Sequence, residues 1–347
     1  MKIGIIILWF TPIINAFFKI NLIKKTPLPI QHFYNKSELL CNNCKKEPSE
    51  NLLQIIAKKR IGFLKIIRYK NILPTFFLCF SGGWLMSPSW LDLWTNVHFL
   101  VTTIITILIM SSSMIMNDLF DLDIDTFNMS RRPLVTGEVT KWEAVLYIFF
   151  LVSFSEFLNI HFLSSFLQDN IHFSIVGLIL YTPIFKKMTL IKNIFCAYFV
   201  AFSIFLGGNS SCKQIISMNP NFGLFSILLS LTFFGSFYNE VLLDIRDVDG
   251  DKFYNVKTIP SVIGKENAWI IAGLVLFYSI IGNTFSLMYL KGYDTGVILP
   301  FMFVPTLKTF YSIPKNNFSK NSIVDAVNSS SGNTFAMIFL FFYLLAL

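Results

Sequence analysis

Long stretches without charged residues alternate with short polar segments along most of this chain. Nine such stretches occupy residues 71–91, 97–116, 144–155, 170–185, 193–212, 214–239, 267–290, 295–307 and 332–347. Several are long enough to cross ~30 Å of hydrocarbon as an α-helix, and the shorter ones need neighbouring helices or polar residues within the span. The pattern predicts an all-α integral membrane protein with about nine transmembrane helices.

The composition supports this prediction. Of the 347 residues, 54% are apolar and only 14% are charged, and the mean hydropathy of +0.61 is too high for a single soluble core. Cys41 and Cys44 form one CxxC pair with no second pair nearby, which argues against a zinc site. Cys79, Cys196 and Cys212 lie in or beside apolar stretches, where we expect them to pack.

Basic residues are concentrated on one predicted side of the membrane. That side carries the segment before the first helix, the segments after the second, fourth and sixth helices, and the segment before the ninth, whereas Lys213 and Lys291 fall on the other side. By the positive-inside rule the basic side faces the cytosol, or the stroma if the membrane belongs to a plastid. The formal net charge of +8 therefore suits phosphate groups and anionic membrane lipid on that face. No nucleic-acid partner is expected.

The segment NDLFDLDID (117–125) places four carboxylates directly after the uncharged run 97–116. Asn117, Asp121 and Asp125 are four residues apart and Asp118 comes three before Asp121, so on a helix they form a narrow stripe. Like charges this close destabilise a helix unless a cation neutralises them. Alone, such a stripe is also typical of a solvated membrane boundary.

A second acidic stripe ends the sixth apolar stretch, in YNEVLLDIRDVDGD (238–251). Four acidic residues at spacings of four, three and four share one helix face: Glu240, Asp244, Asp247 and Asp251. We expect Arg246 and Asp249 to point elsewhere. Because both stripes fall on the basic face, two facing sets of carboxylate oxygens would suit Mg²⁺ bound together with a substrate's phosphates. Carboxylates at a membrane boundary are costly and usually functional.

The first sixty residues have a different character. MKIGIIILWFTPIINAFF resembles a signal peptide cut after Ala16, and a basic, acid-poor stretch comes after it. A Phe at the new N terminus followed by such a stretch resembles the two-part presequences of secondary plastids. A tenth membrane helix with a disordered tail is the alternative. We therefore divide the chain into an N-terminal segment, 1–60, and a transmembrane domain, 61–347.

The acidic segments match two motifs of the UbiA family of intramembrane prenyltransferases, NDxxDxxxD and DxxDxxxD. Four flanking segments are also similar to that family: RYKN (68–71), RRPLVTGEVTKWEA (131–144), YTPIFKK (181–187) and VKTIPSVIGKENA (256–268). The resemblance covers about residues 60–347, and the motifs together are highly specific. Asn255 stands where many relatives have Gly, and Thr136 where Ser is common. Asn tolerates a left-handed turn and Thr keeps the hydroxyl, so neither departure threatens the chemistry.

The resemblance implies helices around a central cavity and Mg²⁺-dependent transfer of an isoprenyl group from an allylic diphosphate to a lipophilic acceptor, with release of diphosphate. It assigns one Mg²⁺ to Asn117, Asp118, Asp121 and Asp125, and a second to Asp247 and Asp251 with help from Asp244. Asp121, Asp125, Asp247 and Asp251 are the expected catalytic residues. The residues expected to bind the diphosphate or to complete the pocket mouth are Arg68, Asn71, Arg132, Tyr181, Lys186, Lys187 and Lys257.

Several alternatives remain open from the sequence. A transporter also buries carboxylates, but usually near the midplane of repeated halves, and no convincing duplication is visible here. A CDP-alcohol phosphotransferase is disfavoured because its DGxxAR opening is absent from the chain. A terpene cyclase of the same family would use the same metal site without an acceptor.

The acceptor is the main open question. A plastid location would favour quinone, tocopherol or chlorophyll-type acceptors, whereas DIRDVDGDKFYNVKTIP (244–260) resembles relatives that prenylate glycerol-phosphate lipids. The prenyl chain length and the oligomeric state are not predicted.

Overall fold

A computed structural model describes residues 52–127, 131–212, 215–253 and 256–346, and every regular element within these ranges is helical. The helices are α1 Leu52–Ile66, α2 Ile72–Met86, α3 Trp90–Thr95, α4 Val97–Phe120, α5 Leu122–Phe127, α6 Pro133–Thr136, α7 Lys141–Phe162, α8 Ser165–Tyr181, α9 Ile191–Ser211, α10 Phe222–Phe253, α11 Ile259–Ile263, α12 Lys265–Lys291, α13 Tyr293–Met302, α14 Val304–Lys315 and α15 Lys320–Ala346. The predicted signal peptide, the basic stretch after it and the CxxC pair lie outside the described residues.

Seven helical stretches in the described ranges are long and apolar enough to cross a membrane: α4, α7, α9, α10, α12, α13 together with α14, and α15. The predicted all-α, multi-pass membrane architecture is therefore confirmed. The first and fourth predicted spans correspond to α2 and α8, which have 15 and 17 residues and are shorter than the other seven. The count of nine transmembrane helices stays a prediction.

Several helices extend past the uncharged stretches that predicted them. The sixth span continues as one 32-residue helix, α10, through the whole second acidic stripe. The last span begins at Lys320 rather than near residue 332, so its first turns are polar. Helix α1 runs across residue 60, where the sequence predicts a domain boundary. Charged residues within a helix that leaves the membrane cost little, so loss of hydrophobicity does not mark the helix end.

Helix α9 separates two apolar clusters. Ala197 and Ile204 of α9 pack into a cluster formed mainly by α10, α12, α14 and α15. Phe202 and Leu206 of the same helix pack into a second cluster formed by α4, α7 and α8. The first acidic stripe lies at the end of α4 and the second at the end of α10, so the segment that leads into α9 lies between the two acidic helix ends.

Helices α2 and α9 cross at very short range through glycine. A Cβ atom on Gly82 would lie 2.0 Å from the carbonyl oxygen of Ile204, and one on Gly207 would lie 2.0 Å from that of Cys79. Small residues allow membrane helices to approach backbone to backbone, where dispersion contacts stabilise the pair. This crossing fixes α9, the central helix, against the helix that follows the predicted Arg68–Asn71 segment.

Candidate active site

The first acidic stripe is split between two sets of basic side chains. Helix α4 ends at Phe120 and Asp121 is its C-cap, but the Asp121 N–H still donates to the Asn117 carbonyl and the Asp125 N–H to that of Asp121. The four-residue register is therefore kept through the helix end. Lys186 Nζ donates to Asn117 Oδ1 at 2.7 Å and to Asp121 Oδ1 at 2.6 Å. One ammonium group thus bridges two of the predicted metal ligands.

Two arginines bind the other half of the stripe. Arg132 Nη1 donates to Asp118 Oδ1 at 2.9 Å and to Asp125 Oδ2 at 2.6 Å, and Arg68 Nη2 donates to the same Asp118 oxygen at 3.0 Å. Asp118 is only 3% exposed. Burial raises the pKa of the Asp125 carboxyl above its usual range, and the nearby Arg132 charge opposes that shift. Charge-assisted hydrogen bonds of this kind make a buried carboxylate cluster tolerable.

Local turns bring both arginines to the cluster. Arg68 has a left-handed backbone, with φ of 50°, at the junction between α1 and the 3-10 turn Tyr69–Asn71. Arg132 precedes Pro133, which begins α6, and Gly137 ends that short helix with a φ of 74°. Lys65 Nζ donates to Glu138 Oε1 at 2.9 Å, so α1 is tied to the turn that follows Arg132. The RPxxSG-like segment is therefore a compact turn that presents Arg132.

The second stripe has a different set of partners. Asp244 accepts hydrogen bonds from Lys192 Nζ and, at 2.9 Å, from Asn193 Nδ2, both in the first turn of α9. Asp251 Oδ2 accepts from Thr258 Oγ1 at 3.0 Å. Asp244 and Asp251 are therefore both hydrogen-bonded to side chains from outside α10.

Asp247 is the most open of these three carboxylates, with its side chain 52% exposed. Arg246 donates to both of its oxygens, at 2.8 and 2.7 Å. The expectation that Arg246 points away from the stripe is therefore wrong. An arginine side chain is long enough to fold back onto the neighbouring residue. Asp249 does lie apart, with its carboxylate bound to Lys265 at 3.3 Å.

The segment 186–193 joins the two acidic clusters. Lys186, in the 3-10 turn Phe185–Lys187, binds the first stripe, while Lys192 and Asn193 bind the second. Between them, Thr189 Oγ1 donates to the Lys257 carbonyl at 3.0 Å, just beyond the second stripe. Because this short run of consecutive residues contacts both clusters, the clusters lie at the same end of the helical bundle.

The remaining predicted residues have fewer contacts with the clusters. Asn71 is exposed and its side chain does not cap α2. The Tyr181 hydroxyl lies 3.0 Å from Cys196 Sγ of α9, and Cys196 in turn lies beside Glu240 of the second stripe. The Lys257 side chain is exposed, and that of Lys187 lies outside the described residues.

Lys192 and Asn193 are the site residues that sequence reasoning missed. Lys192 appeared only as one of many basic residues on the predicted cytosolic face, and Asn193 as the first residue of an apolar span. For Asn193, an amide side chain at the start of a long uncharged run is the signal that could have identified it, because a buried amide requires a hydrogen-bond partner.

The donor chemistry of the clusters suits Mg²⁺, although the side chains are engaged by basic groups. In the described part of the chain, no three Asp, Glu, His or Cys side chains lie close enough together to hold a metal ion. The first stripe nevertheless offers four side chains with hard oxygen donors, the type that Mg²⁺ prefers. Lys186 and Arg132 each bridge two of these side chains, so each pair already lies within the reach of one shared cation.

Comparison with known proteins identifies relatives over most of the chain. The model of the UbiA prenyltransferase family matches residues 75–322. A digeranylgeranylglyceryl phosphate synthase from Methanococcus maripaludis is 28% identical over 216 residues, which cover 62% of this chain and 73% of the relative. The synthase of that name from Saccharolobus solfataricus is 27% identical over 255 residues, covering 70% and 83%.

Solved structures share the fold. A structure described as a digeranylgeranylglyceryl phosphate synthase in membranes has a TM-score of 0.63 at 20% identity, covering 82% of this chain and 98% of the other. A UbiA homologue from Archaeoglobus fulgidus, solved with DMAPP and Mg²⁺, has a TM-score of 0.58 at 19% identity, covering 82% and 99%. Because the family model matches well over half of the chain, and two acidic helix ends lie at one end of its helical membrane bundle, this chain belongs to the UbiA prenyltransferase family.

Proposed function

We propose that this protein transfers an isoprenyl group from an allylic isoprenyl diphosphate to a hydroxyl group of a glycerol-phosphate lipid. The observation that carries the proposal is the pair of acidic clusters at one bundle end, with Lys186, Arg132 and Arg68 bound to the first of them. The synthases from Methanococcus and Saccharolobus favour this acceptor by their name. Aromatic, quinone-type and chlorophyll-type acceptors are the alternatives that a plastid location would favour.

The proposed reaction makes defined demands on the site. The bond between the allylic carbon and the diphosphate oxygen breaks, the acceptor oxygen bonds to that carbon, and the hydroxyl proton is released. Negative charge develops on the departing diphosphate, so preorganised cationic donors at that position lower the barrier. Bound Mg²⁺ would neutralise part of this charge and orient the diphosphate.

Two Mg²⁺ ions are part of the proposal, one for each stripe. Asn117, Asp118, Asp121 and Asp125 would hold the first, and Asp247 and Asp251 the second. Lys186 and Arg132 would then exchange their carboxylate partners for phosphate oxygens, with Arg68 and the exposed Lys257 at the edge of the pocket. The ammonium and guanidinium groups keep charge partners in both arrangements, so the exchange requires no unpaired buried charge.

The experiment that tests the function uses the purified full-length protein in detergent with Mg²⁺. Geranyl, farnesyl, geranylgeranyl and phytyl diphosphates are each combined with a glycerol-phosphate lipid, an aromatic quinone precursor, a chlorophyllide or no acceptor, and products are identified by mass. We expect an ether of the glycerol-phosphate lipid. A prenylated aromatic or chlorophyll product would move the acceptor to that class, and a product formed without acceptor would indicate a cyclase.

Two variants test the metal clusters. Asp121→Ala and Asp247→Ala should abolish Mg²⁺-dependent release of diphosphate while the protein still inserts and elutes as a single species. Asp249→Ala is the matched control, because Asp249 lies on the same helix end, is 79% exposed at its side chain and pairs with Lys265. Full activity in both cluster variants would refute the site.

A plastid location is a separate proposal, and it would shift the acceptor toward the quinone and chlorophyll classes. It rests on the signal-peptide-like run ending at Ala16 and on the basic stretch that comes after it. A fluorescent protein fused behind residues 1–60 should enter the plastid of an alga with a secondary plastid. Retention of the fusion in the secretory pathway would reject this location without affecting the proposed chemistry.

A further inference from the structure

Asp244 is held by the protein at both of its carboxylate oxygens. Lys192 Nζ donates to Oδ1 and Asn193 Nδ2 donates to Oδ2. Asp244 is 5% exposed and Asn193 is 1% exposed, so neither contact is weakened by solvent. A salt bridge with a neutral amide on the second oxygen is a well-satisfied arrangement for a buried carboxylate.

The setting of Asp244 differs from that of its neighbour Asp247 in the stripe. Asp247 is half-exposed and is paired with the adjacent Arg246. A cation reaching Asp247 displaces a guanidinium that water can solvate. A cation reaching Asp244 would instead take from the mostly buried Lys192 ammonium the carboxylate that it binds directly, which is costly although Glu240 lies nearby.

The Asp244 contacts also determine where the segment before α9 lies. Lys192 and Asn193 lie in the first turn of α9, and Lys186 comes six residues before Lys192. Midway between them, Thr189 is bound to the Lys257 carbonyl. The short segment therefore has one end fixed on α10 and presents Lys186 to the first stripe from the other.

We propose that Asp244 is not a metal ligand but, together with Lys192 and Asn193, forms an anchor that positions Lys186 opposite the first acidic stripe. Measuring the effect of this anchor on turnover of the isoprenyl diphosphate donor rests on the proposed function. The anchor itself is a set of hydrogen bonds and can be tested through stability alone.

A reciprocal exchange separates an anchor from a metal ligand. Asn193→Asp alone places two carboxylates against each other and should lower the melting temperature. Adding Asp244→Asn restores complementarity, because the new amide at position 244 can donate to the new carboxylate at position 193 while its carbonyl oxygen still accepts from Lys192. A metal ligand at position 244 would instead lose its carboxylate in the double variant, and no rescue of activity would result.

Four proteins are compared: the native protein, Asn193→Asp, the double variant Asn193→Asp with Asp244→Asn, and Asp247→Asn. Thermal unfolding without Mg²⁺ measures stability. Assays of diphosphate release measure the donor KM and the Mg²⁺ dependence. We expect Asn193→Asp to raise the donor KM by at least about tenfold, the scale of one hydrogen bond to a charged group. The double variant should recover KM to within about threefold of the native value. Its half-saturating Mg²⁺ concentration should match that of the native protein, unlike Asp247→Asn.

Two results would overturn the anchor: a double variant that melts no higher than Asn193→Asp, or one that requires as much Mg²⁺ as Asp247→Asn. If the native protein turns over none of the diphosphates, the proposed function fails, and the melting temperatures still decide whether residues 193 and 244 form the anchor.

Discussion

Lys186 and Asp121, which are 65 residues apart in the chain, form an ion pair with Nζ and Oδ1 separated by 2.6 Å. The same ammonium group binds Asn117, one turn earlier on the helix. Lys186 therefore neutralises the end of α4, where like charges would otherwise repel. In the proposed reaction, this pairing would place Lys186 to meet a diphosphate that approaches the first stripe.

We expect Lys186→Gln to raise the donor KM by about tenfold or more and to lower kcat, because one cationic donor to the leaving group is lost. Lys186→Arg should retain part of the activity, since the charge remains but its geometry changes. Steady-state assays with geranylgeranyl diphosphate at saturating Mg²⁺ measure both effects. Lys265→Gln, which removes the exposed contact with Asp249, serves as the control. Native kinetics for Lys186→Gln would contradict the role.

Asp118→Ala should destabilise the protein more than the other changes in the first stripe. Asp118 is buried and accepts from both Arg68 and Arg132, so its removal leaves two guanidinium groups without that partner. Because both arginines are partly solvated, we expect a loss of about 2 kcal/mol in the free energy of unfolding. Unfolding in detergent without Mg²⁺ measures the loss. Asp123→Ala, at an exposed position on α5, should unfold like the native protein. An equal effect of the two changes would disprove the pairing.

Thr258→Val should raise the Mg²⁺ concentration that is required for half-maximal diphosphate release. The Thr258 hydroxyl donates to Asp251 and orients that carboxylate, and loss of such an outer contact typically costs about 10- to 100-fold in metal affinity. Titration of diphosphate release with Mg²⁺ measures the shift, and Thr258→Ser should preserve the native curve.

Thr258 is also the N-cap residue of α11, and its backbone N–H donates to Ser261 Oγ at 2.7 Å. Ser261→Ala removes that cap without touching Asp251 and therefore controls for helix fraying. Should Ser261→Ala shift the Mg²⁺ curve as far as Thr258→Val does, the effect would come from the cap rather than from Asp251.

Gly207→Ala should prevent normal packing of α9 against α2. The added methyl group would lie 2.0 Å from the Cys79 carbonyl oxygen, and a backbone atom cannot move aside as a side chain can. We expect a loss of about 3 kcal/mol or more and a poor yield of monodisperse protein. Gly282→Ala is the matched control in α12, where an added Cβ has no neighbour within 4 Å among the described residues. Equal melting temperatures for the two variants would show that the helices do not cross this closely.

The acidic stripes show which features of the site could be predicted from residue spacing in the sequence. Spacings of three and four residues define a helix face whatever surrounds it, so the register of Asn117, Asp121 and Asp125 could be predicted from the chain. The break at Asp121 could not, because a helix end depends on the path of the next segment and on which side chains bind there. Arg246 is the clearest failure: its spacing places it off the stripe, but its flexible side chain folds back onto Asp247.

By itself, the sequence determined that the chain is a helical membrane protein and that two acidic stripes end the second and sixth apolar stretches, and it predicted that most basic groups share one face. These properties depend on hydrophobicity and on helical periodicity, which are local. Only the tertiary structure decided that Lys186 binds Asp121, that Arg132 joins Asp118 to Asp125, and that Lys192 and Asn193 hold Asp244. Such partners are chosen by the order in which helices pack, and α9 reaches its place between α4 and α10 through glycine contacts far along the helix from the charged groups.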